Sequence, residues 1–273
     1  MELDKKTLSE MLETGIVATR LAGQKAMEEL AYAKSSVKNN EELVTQTDTK
    51  CQQIIIDRIK ETHPDHGFIA EEGGSKKLFK QSPRGSGDFW WVIDPIDGTN
   101  NFAHHFPLFA VSIALCYQGS PAVGVIFSPA TDSMFTAVTG SHAYLNGRRI
   151  TAGREEINTF AFVGLCGTFD TAAPPWANWI MQNTKYRNIG SVATQIAYVA
   201  KASFIAAICP KGPKLWDIAA ATLIAESAGA IVTDWDGKKL FPLDLESYQG
   251  QKFQLLTANA KTHAEFLELL ASQ

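Results

Sequence analysis

The chain has 273 residues, 45% hydrophobic and 20% charged, the proportions of a folded globular protein and not of a disordered or fibrous one. Its formal net charge is −4 with no basic tract, which gives a nucleic-acid partner no electrostatic support. A charged start, Met1-Glu2-Leu3-Asp4-Lys5-Lys6, and the lack of any run of roughly 18 apolar residues argue against a secretory signal and a membrane span. Cys51, Cys116, Cys166 and Cys209 lie far apart with no Cys-x-x-Cys pair, so they are read as reduced thiols of a cytoplasmic protein.

In chain order, Thr7-Leu8-Ser9-Glu10 has capping-box spacing, and Leu8, Met11, Leu12, Gly15, Ala18 and Ala22 recur at helical intervals, which predicts a first helix of about six turns. Asp48 then stands at the start of a second helix that runs to His63, ahead of Pro64, where it serves as a cap. Gly67-Phe68-Ile69-Ala70-Glu71-Glu72-Gly73-Gly74 reads as a short strand ending in two acids, and residues 75–88, rich in Lys, Ser and Gly, as a mobile loop beside the site. Trp90-Trp91-Val92-Ile93 is a strand that delivers Asp94 and Asp97, with Pro95 expected to stop its ladder. Two carboxylates at the end of a buried strand need a compensating charge, which a hard divalent cation such as Mg²⁺ supplies. Gly98-Thr99 adds a close-approach backbone, a hydroxyl and N–H groups suited to a phosphate oxygen.

Residues 109–117, 122–127 and 133–138 are predicted as successive antiparallel strands, followed by the tight-turn pair Asn146-Gly147. A second half then opens near residue 151, dividing the chain into lobes 1–150 and 151–273. It holds a strand over 160–165, a helix after Pro174-Pro175, Ser191 as a cap for a helix through Tyr198, and Asp217 in the first turn of an alanine-rich helix ending near Gly229. A strand over 230–234 and a capping box at Thr262-His263-Ala264-Glu265 complete the reading.

Asp94-Pro95-Ile96-Asp97-Gly98-Thr99 with Asn101-Phe102, Glu71-Glu72 in its Ala-Glu-Glu context, and Trp216-Asp217-Ile218-Ala219-Ala220 together resemble the inositol monophosphatase family. The resemblance implies a mixed α/β (α+β) fold of inositol monophosphatase/fructose-bisphosphatase type, a layered α-β-α-β-α sandwich, and a homodimer. It implies two to three Mg²⁺ ions: Glu71, Asp94 and the Ile96 carbonyl at one, Asp94, Asp97 and Asp217 at a second, and a weaker third near Glu71. Asp48, in a Val-Thr-x-x-Asp sequence, and Thr99 would orient the attacking water, with Glu71 as the third catalytic residue. Ile96, Asp97, Gly98, Thr99, Gly190, Ser191, Val192 and Asp217 would face a small phosphorylated substrate. His104 and His105 are read as structural.

The expected reaction is Mg²⁺-dependent hydrolysis of a small phosphate monoester. In the animal members of that family an acid that binds inositol hydroxyls lies seven residues before the second-signature Asp; here that position is Pro210, followed by Lys211 and Lys214. Strict inositol phosphate specificity is therefore not expected. Fructose 1,6-bisphosphate, histidinol phosphate and a nucleotide 3′-phosphate stay open as substrates, as does a noncatalytic metal- or sugar-phosphate-binding role.

Overall fold

A computed structural model describes residues 3–38, 42–74, 78–85, 87–167, 172–210 and 212–271. Helix α1 (Lys5–Glu29) starts earlier than the Thr7 box suggests, because Asp4 is its N-cap and accepts the Thr7 N–H at 2.7 Å. After β1 (Ser35–Lys38) and β2 (Glu42–Thr45), α2 (Gln46–Thr62) is capped by Thr45, with Asp48 closing the capping box from inside the first turn. Strands β3 (Gly67–Ala70), β4 (Phe79–Gln81) and β5 (Phe89–Asp97) follow, then the short helix α3 (Thr99–Ala103). The segment read as a loop over 75–88 thus contains a strand, because Phe79-Lys80-Gln81 pairs antiparallel with the otherwise open edge of β3; residues 75–77 and 86 lie outside the described residues.

The expected meander is present as β6 (Ala110–Tyr117), β7 (Ser120–Ser128), β8 (Ser133–Val138), β9 (Ala143–Leu145) and β10 (Arg148–Ile150). Together they form an eight-stranded sheet in the order β10-β9-β8-β7-β6-β5-β3-β4, antiparallel except where β3 runs parallel to β5. A second, five-stranded sheet has the order β12-β11-β13-β15-β14, from β11 (Phe162–Leu165), β12 (Lys185–Arg187), β13 (Ala206–Cys209), β14 (Ala230–Thr233) and β15 (Leu255–Asn259). Its helices are α4 (Pro175–Asn183), α5 (Val192–Ala200), α6 (Leu215–Ser227) and α7 (His263–Ala271).

The two-residue period of the strands builds the layers. Trp91 and Ile93 of β5 face a core shared with α1 and α2, whereas Trp90 and Val92 face a core shared with α5 and α6. The second sheet repeats this: Ala207 and Cys209 join α5 and α6, while Ala206 and Ile208 join Trp176 and Phe266 of α4 and α7. The result is an α-β-α-β-α sandwich, and both sheets are covered on both faces, which is why their strands read as continuous apolar runs. Each large side chain so buried contributes roughly 1.5–3 kcal/mol. The central α6 approaches β7 closely only because residue 124 is glycine: a Cβ there would lie 2.9 Å from the Ala220 carbonyl oxygen.

One reading of the cysteines is corrected. Cys166 and Cys209 form a disulfide, Cα–Cα 4.7 Å, because β11 and β13 are parallel neighbours that bring residues 43 apart side by side. Cys51 and Cys116 are free and buried. Among the described residues, no helix is long and apolar enough to cross a membrane.

Candidate active site

Strand β5 does not stop at its first acid. The pairing Asp94↔Ser112 resumes at Asp97↔Ala110, so Pro95 and Ile96 sit in a bulge, where a missing N–H is tolerated. Asp94 accepts the Ile96 N–H at 3.0 Å, which closes the turn and holds its carboxyl inward. The parallel register Ala70↔Ile93 delivers Glu71 beside Asp94, and the Glu71 N–H continues the ladder to the Ile93 carbonyl at 3.3 Å. Helix α6 supplies Asp217 at its third position, where it also receives the Lys214 N–H at 2.5 Å. Asp94, Asp97 and Asp217 each bring a carboxylate oxygen within 4.8 Å of the others, an arrangement of hard donors that can hold a metal ion.

The cluster is electrostatically costly. Burial, then Glu71, Asp217 and Asp97, hold the Asp94 carboxyl well above its usual range. Burial and Asp217 push Asp97 up to about 7, against the opposing pull of its hydrogen bonds. Those bonds come from α5: the Val192 N–H at 3.0 Å, the Ala193 N–H at 2.8 Å and the Ser191 hydroxyl. Ser191 at the same time caps α5 by accepting the Thr194 N–H at 3.3 Å, so its cap role and its place at the site coexist.

Asp48 is likewise both cap and neighbour. Its Oδ2 receives the Thr45 N–H at 2.9 Å and the Thr45 hydroxyl at 2.5 Å, while Oδ1 lies 3.0 Å from the Thr99 hydroxyl. Thr99 Oγ1 is also 2.9 Å from the Ile96 carbonyl oxygen, so its single proton points back into the protein and its lone pairs remain for a water. Burial raises Asp48 to about 6. Gly98 turns the chain into α3 with φ +100°, a conformation that favours glycine. Gly190, on the loop before α5, is packed against that turn, since Asn101 donates to both the Leu108 and the Ile189 carbonyls.

His104 and His105 place Nδ1 against the carbonyls of Asn100 and Leu30, the structural role expected of them. Pro210 is buried, Lys211 lies outside the described residues, and the Lys214 ammonium sits 5.3 Å over the Trp216 ring. Two supports of the site were given no role by the sequence. Asn101 has just been described, and Tyr248, whose hydroxyl accepts the Leu215 N–H at 3.0 Å, steadies the start of α6 from a distant loop. The Asn in the signature offered a cue for the first; nothing local marks the second.

The sequence matches the inositol monophosphatase family model over residues 7–272. The chain belongs to that family. Among its relatives, the Nus factor SuhB of Vibrio cholerae is 35% identical over 238 residues, covering 83% of this chain and 86% of the relative. The inositol-1-monophosphatase of Mesorhizobium japonicum is 34% identical over 238 residues, covering 84% and 87%. Among solved structures, an IMPase of Thermotoga maritima superposes with a TM-score of 0.83 at 28% identity over 96% of this chain and 97% of that one. The suhB protein of Bartonella henselae gives a TM-score of 0.83 at 26% identity over 96% and 99%.

Proposed function

We propose that this protein is a Mg²⁺-dependent phosphomonoesterase acting on small phosphorylated metabolites. The observation that supports the reading best is the Asp94, Asp97 and Asp217 cluster, three carboxylate groups within 4.8 Å of one another beside the Thr99–Asp48 pair. The donor set fits Mg²⁺: all oxygen, mutually repelling and held in place by backbone hydrogen bonds. Asp94, Asp97 and Asp217, with Glu71 and the Ile96 carbonyl, would hold two to three ions, which when bound neutralise phosphate charge and acidify water.

The chain's own groups do the rest. Asp48, ionised at neutral pH, accepts a hydrogen bond from the Thr99 hydroxyl and so turns the Thr99 lone pairs toward the attacking water. The Gly98 and Thr99 N–H groups hold a phosphate oxygen, and Gly190, Ser191 and Val192 border the leaving group. The lobes 1–150 and 151–273 meet at this point, the first bringing Glu71 to Thr99 and the second bringing Ser191 and Asp217. Pro210 offers no side-chain acceptor where a polyol hydroxyl would be read, which favours a broad substrate range over strict inositol phosphate specificity. The Nus factor name of the Vibrio cholerae relative specifies no substrate, so the substrate class rests on these site residues. Family membership favours a homodimer, which light scattering on purified protein would check.

The test is phosphate release from small monoesters with Mg²⁺, with chelator, and with Asp94→Asn. Turnover that depends on Mg²⁺ and falls by orders of magnitude in the variant is expected. Ligand binding without phosphate release would instead establish a noncatalytic sugar-phosphate-binding protein.

A further inference from the structure

We propose that Gln52 is a positioning residue that clamps the Glu71-Glu72 turn against the acidic cluster and thereby sets the affinity of the site for Mg²⁺; this rests on the metal-dependent reading above. Gln52 follows Asp48 by one helical turn on α2, so both project from the same face, and both are buried. Its amide grips one residue from both sides. Nε2 donates to the Glu72 carbonyl at 2.5 Å, and Oε1 accepts the Glu72 N–H at 2.8 Å. Only this orientation of the amide satisfies both partners, so the side chain has one productive state.

The clamp begins where the sheet ends. Strand β3 is paired on both sides up to Ala70, and the Glu71 N–H still reaches Ile93, but Glu72 lies past the strand. Gln52 supplies there the donor and acceptor that a neighbouring strand would have given. An acid at position 52 would accept from the N–H but repel the carbonyl and add charge beside Asp48; the neutral amide does neither. The platform is itself held: α2 is tied to the end of α1 by the Thr47 hydroxyl and the Lys50 ammonium, both 2.8 Å from the Glu29 carboxylate. One helix thus fixes the water-orienting Asp48 and the backbone that carries Glu71.

Mg²⁺ alone is titrated calorimetrically into the full chain, and into Gln52→Met and Gln52→Asn, with melts recorded in chelator. Met keeps the length of the side chain without hydrogen bonds; Asn keeps the amide but is one methylene too short to reach. Both variants should raise the Mg²⁺ Kd about tenfold. Turnover at saturating Mg²⁺ should stay within about threefold, the pattern of lost ligand positioning and not of lost chemistry. A Kd within about twofold of the parent in the folded variants, whatever the change in melting temperature, would overturn the proposal and leave Gln52 a structural residue. Should Gln52→Met fail to fold, the milder Gln52→Asn decides. If the parent binds no Mg²⁺, the metal-dependent reading fails first, and this one with it.

Discussion

The acidic cluster ties the stability of the protein to pH in a direction opposite to ordinary acid denaturation. Asp97 keeps its proton in the folded, metal-free protein up to about pH 7, whereas its ordinary value is 3.8. Between those values the folded state binds more protons than the unfolded chain, so stability falls as pH rises through this window and is flat above it. From pH 5 to pH 8, at ~1.4 kcal/mol per unit over the part below 7, Asp97 alone removes about 3 kcal/mol. That corresponds to roughly 6–12 °C in melting temperature for a chain of this size. A bound cation reverses the penalty, because metal binding requires the ionised ligand.

The assay is thermal or urea unfolding at pH 5 and pH 8, each with chelator and with excess Mg²⁺. Stabilisation by Mg²⁺ should be larger at pH 8 by about 3 kcal/mol or more. His66, pushed down to about 4 by burial and then by His63, opposes this trend, since its share of stability is lost as pH falls from 6.5 toward 4. It stacks on Phe89 and His63, away from the acids, so its effect is common to both arms and drops out of the difference. Equal Mg²⁺ stabilisation at both pH values, or a larger one at pH 5, would refute the argument.

Thr99→Ala should slow turnover roughly a hundredfold while leaving calorimetric Mg²⁺ affinity unchanged; a lost affinity would show that the water is misplaced. Asp48→Asn has one oxygen where Thr45 and Thr99 now use two, so it should cost about 1 kcal/mol as a cap and lower the rate as well, and a purely thermal effect would reduce Asp48 to a cap. Gly124→Ala places a Cβ 2.9 Å from the Ala220 oxygen, and the overpacking should cost about 1–3 kcal/mol in urea unfolding, with weaker Mg²⁺ binding as α6 moves. In a panel of phosphate esters at equal concentration with Mg²⁺, inositol 1-phosphate should not be preferred by more than about a hundredfold; a stronger preference would refute the argument from Pro210.

What the sequence revealed of this architecture follows the range of the forces involved. The strand through 90–93 and the cap at Ser191 are set by neighbours within a turn or two and lie where period and capping place them, while the second helix starts at Gln46, so that Thr45 is its N-cap and Asp48 closes the capping box from inside the first turn. Helix starts shift by a few residues for local reasons, at Asp4 and Thr45, whereas the larger misreadings depend on distant partners. β4 is a strand because β3 offers it an edge, β5 continues past Pro95 because Ala110 resumes the ladder, and Cys166 meets Cys209 because two strands run parallel. β13 and β15, short and buried on both faces, carry no alternation to mark them. At the site, the acids were legible as motifs, but their supports were not: Gln52 and Tyr248 hold backbone groups 20 and 33 residues away.

Asp97 shows why those motifs lie so far apart in the chain. Its carboxylate has about four lone-pair sites, and Val192, Ala193 and Ser191 occupy three of them. Each of these bonds favours the ionised form, as does the positive end of α5, yet burial and Asp217 still drive the carboxyl upward. Burial, with the repulsion from Asp217 of α6 added to it, therefore outweighs the attraction from α5, and a cation between the acids would let Asp97 be fully charged at neutral pH while it keeps its grip on α5. Since β5 belongs to the eight-stranded sheet while α5 and α6 cover the five-stranded one, the same carboxylate that would bind metal also joins the two sheets. Architecture and chemistry then depend on a single interaction, and the cluster forms only where residues 94–97, 191–193 and 217 are folded onto one another.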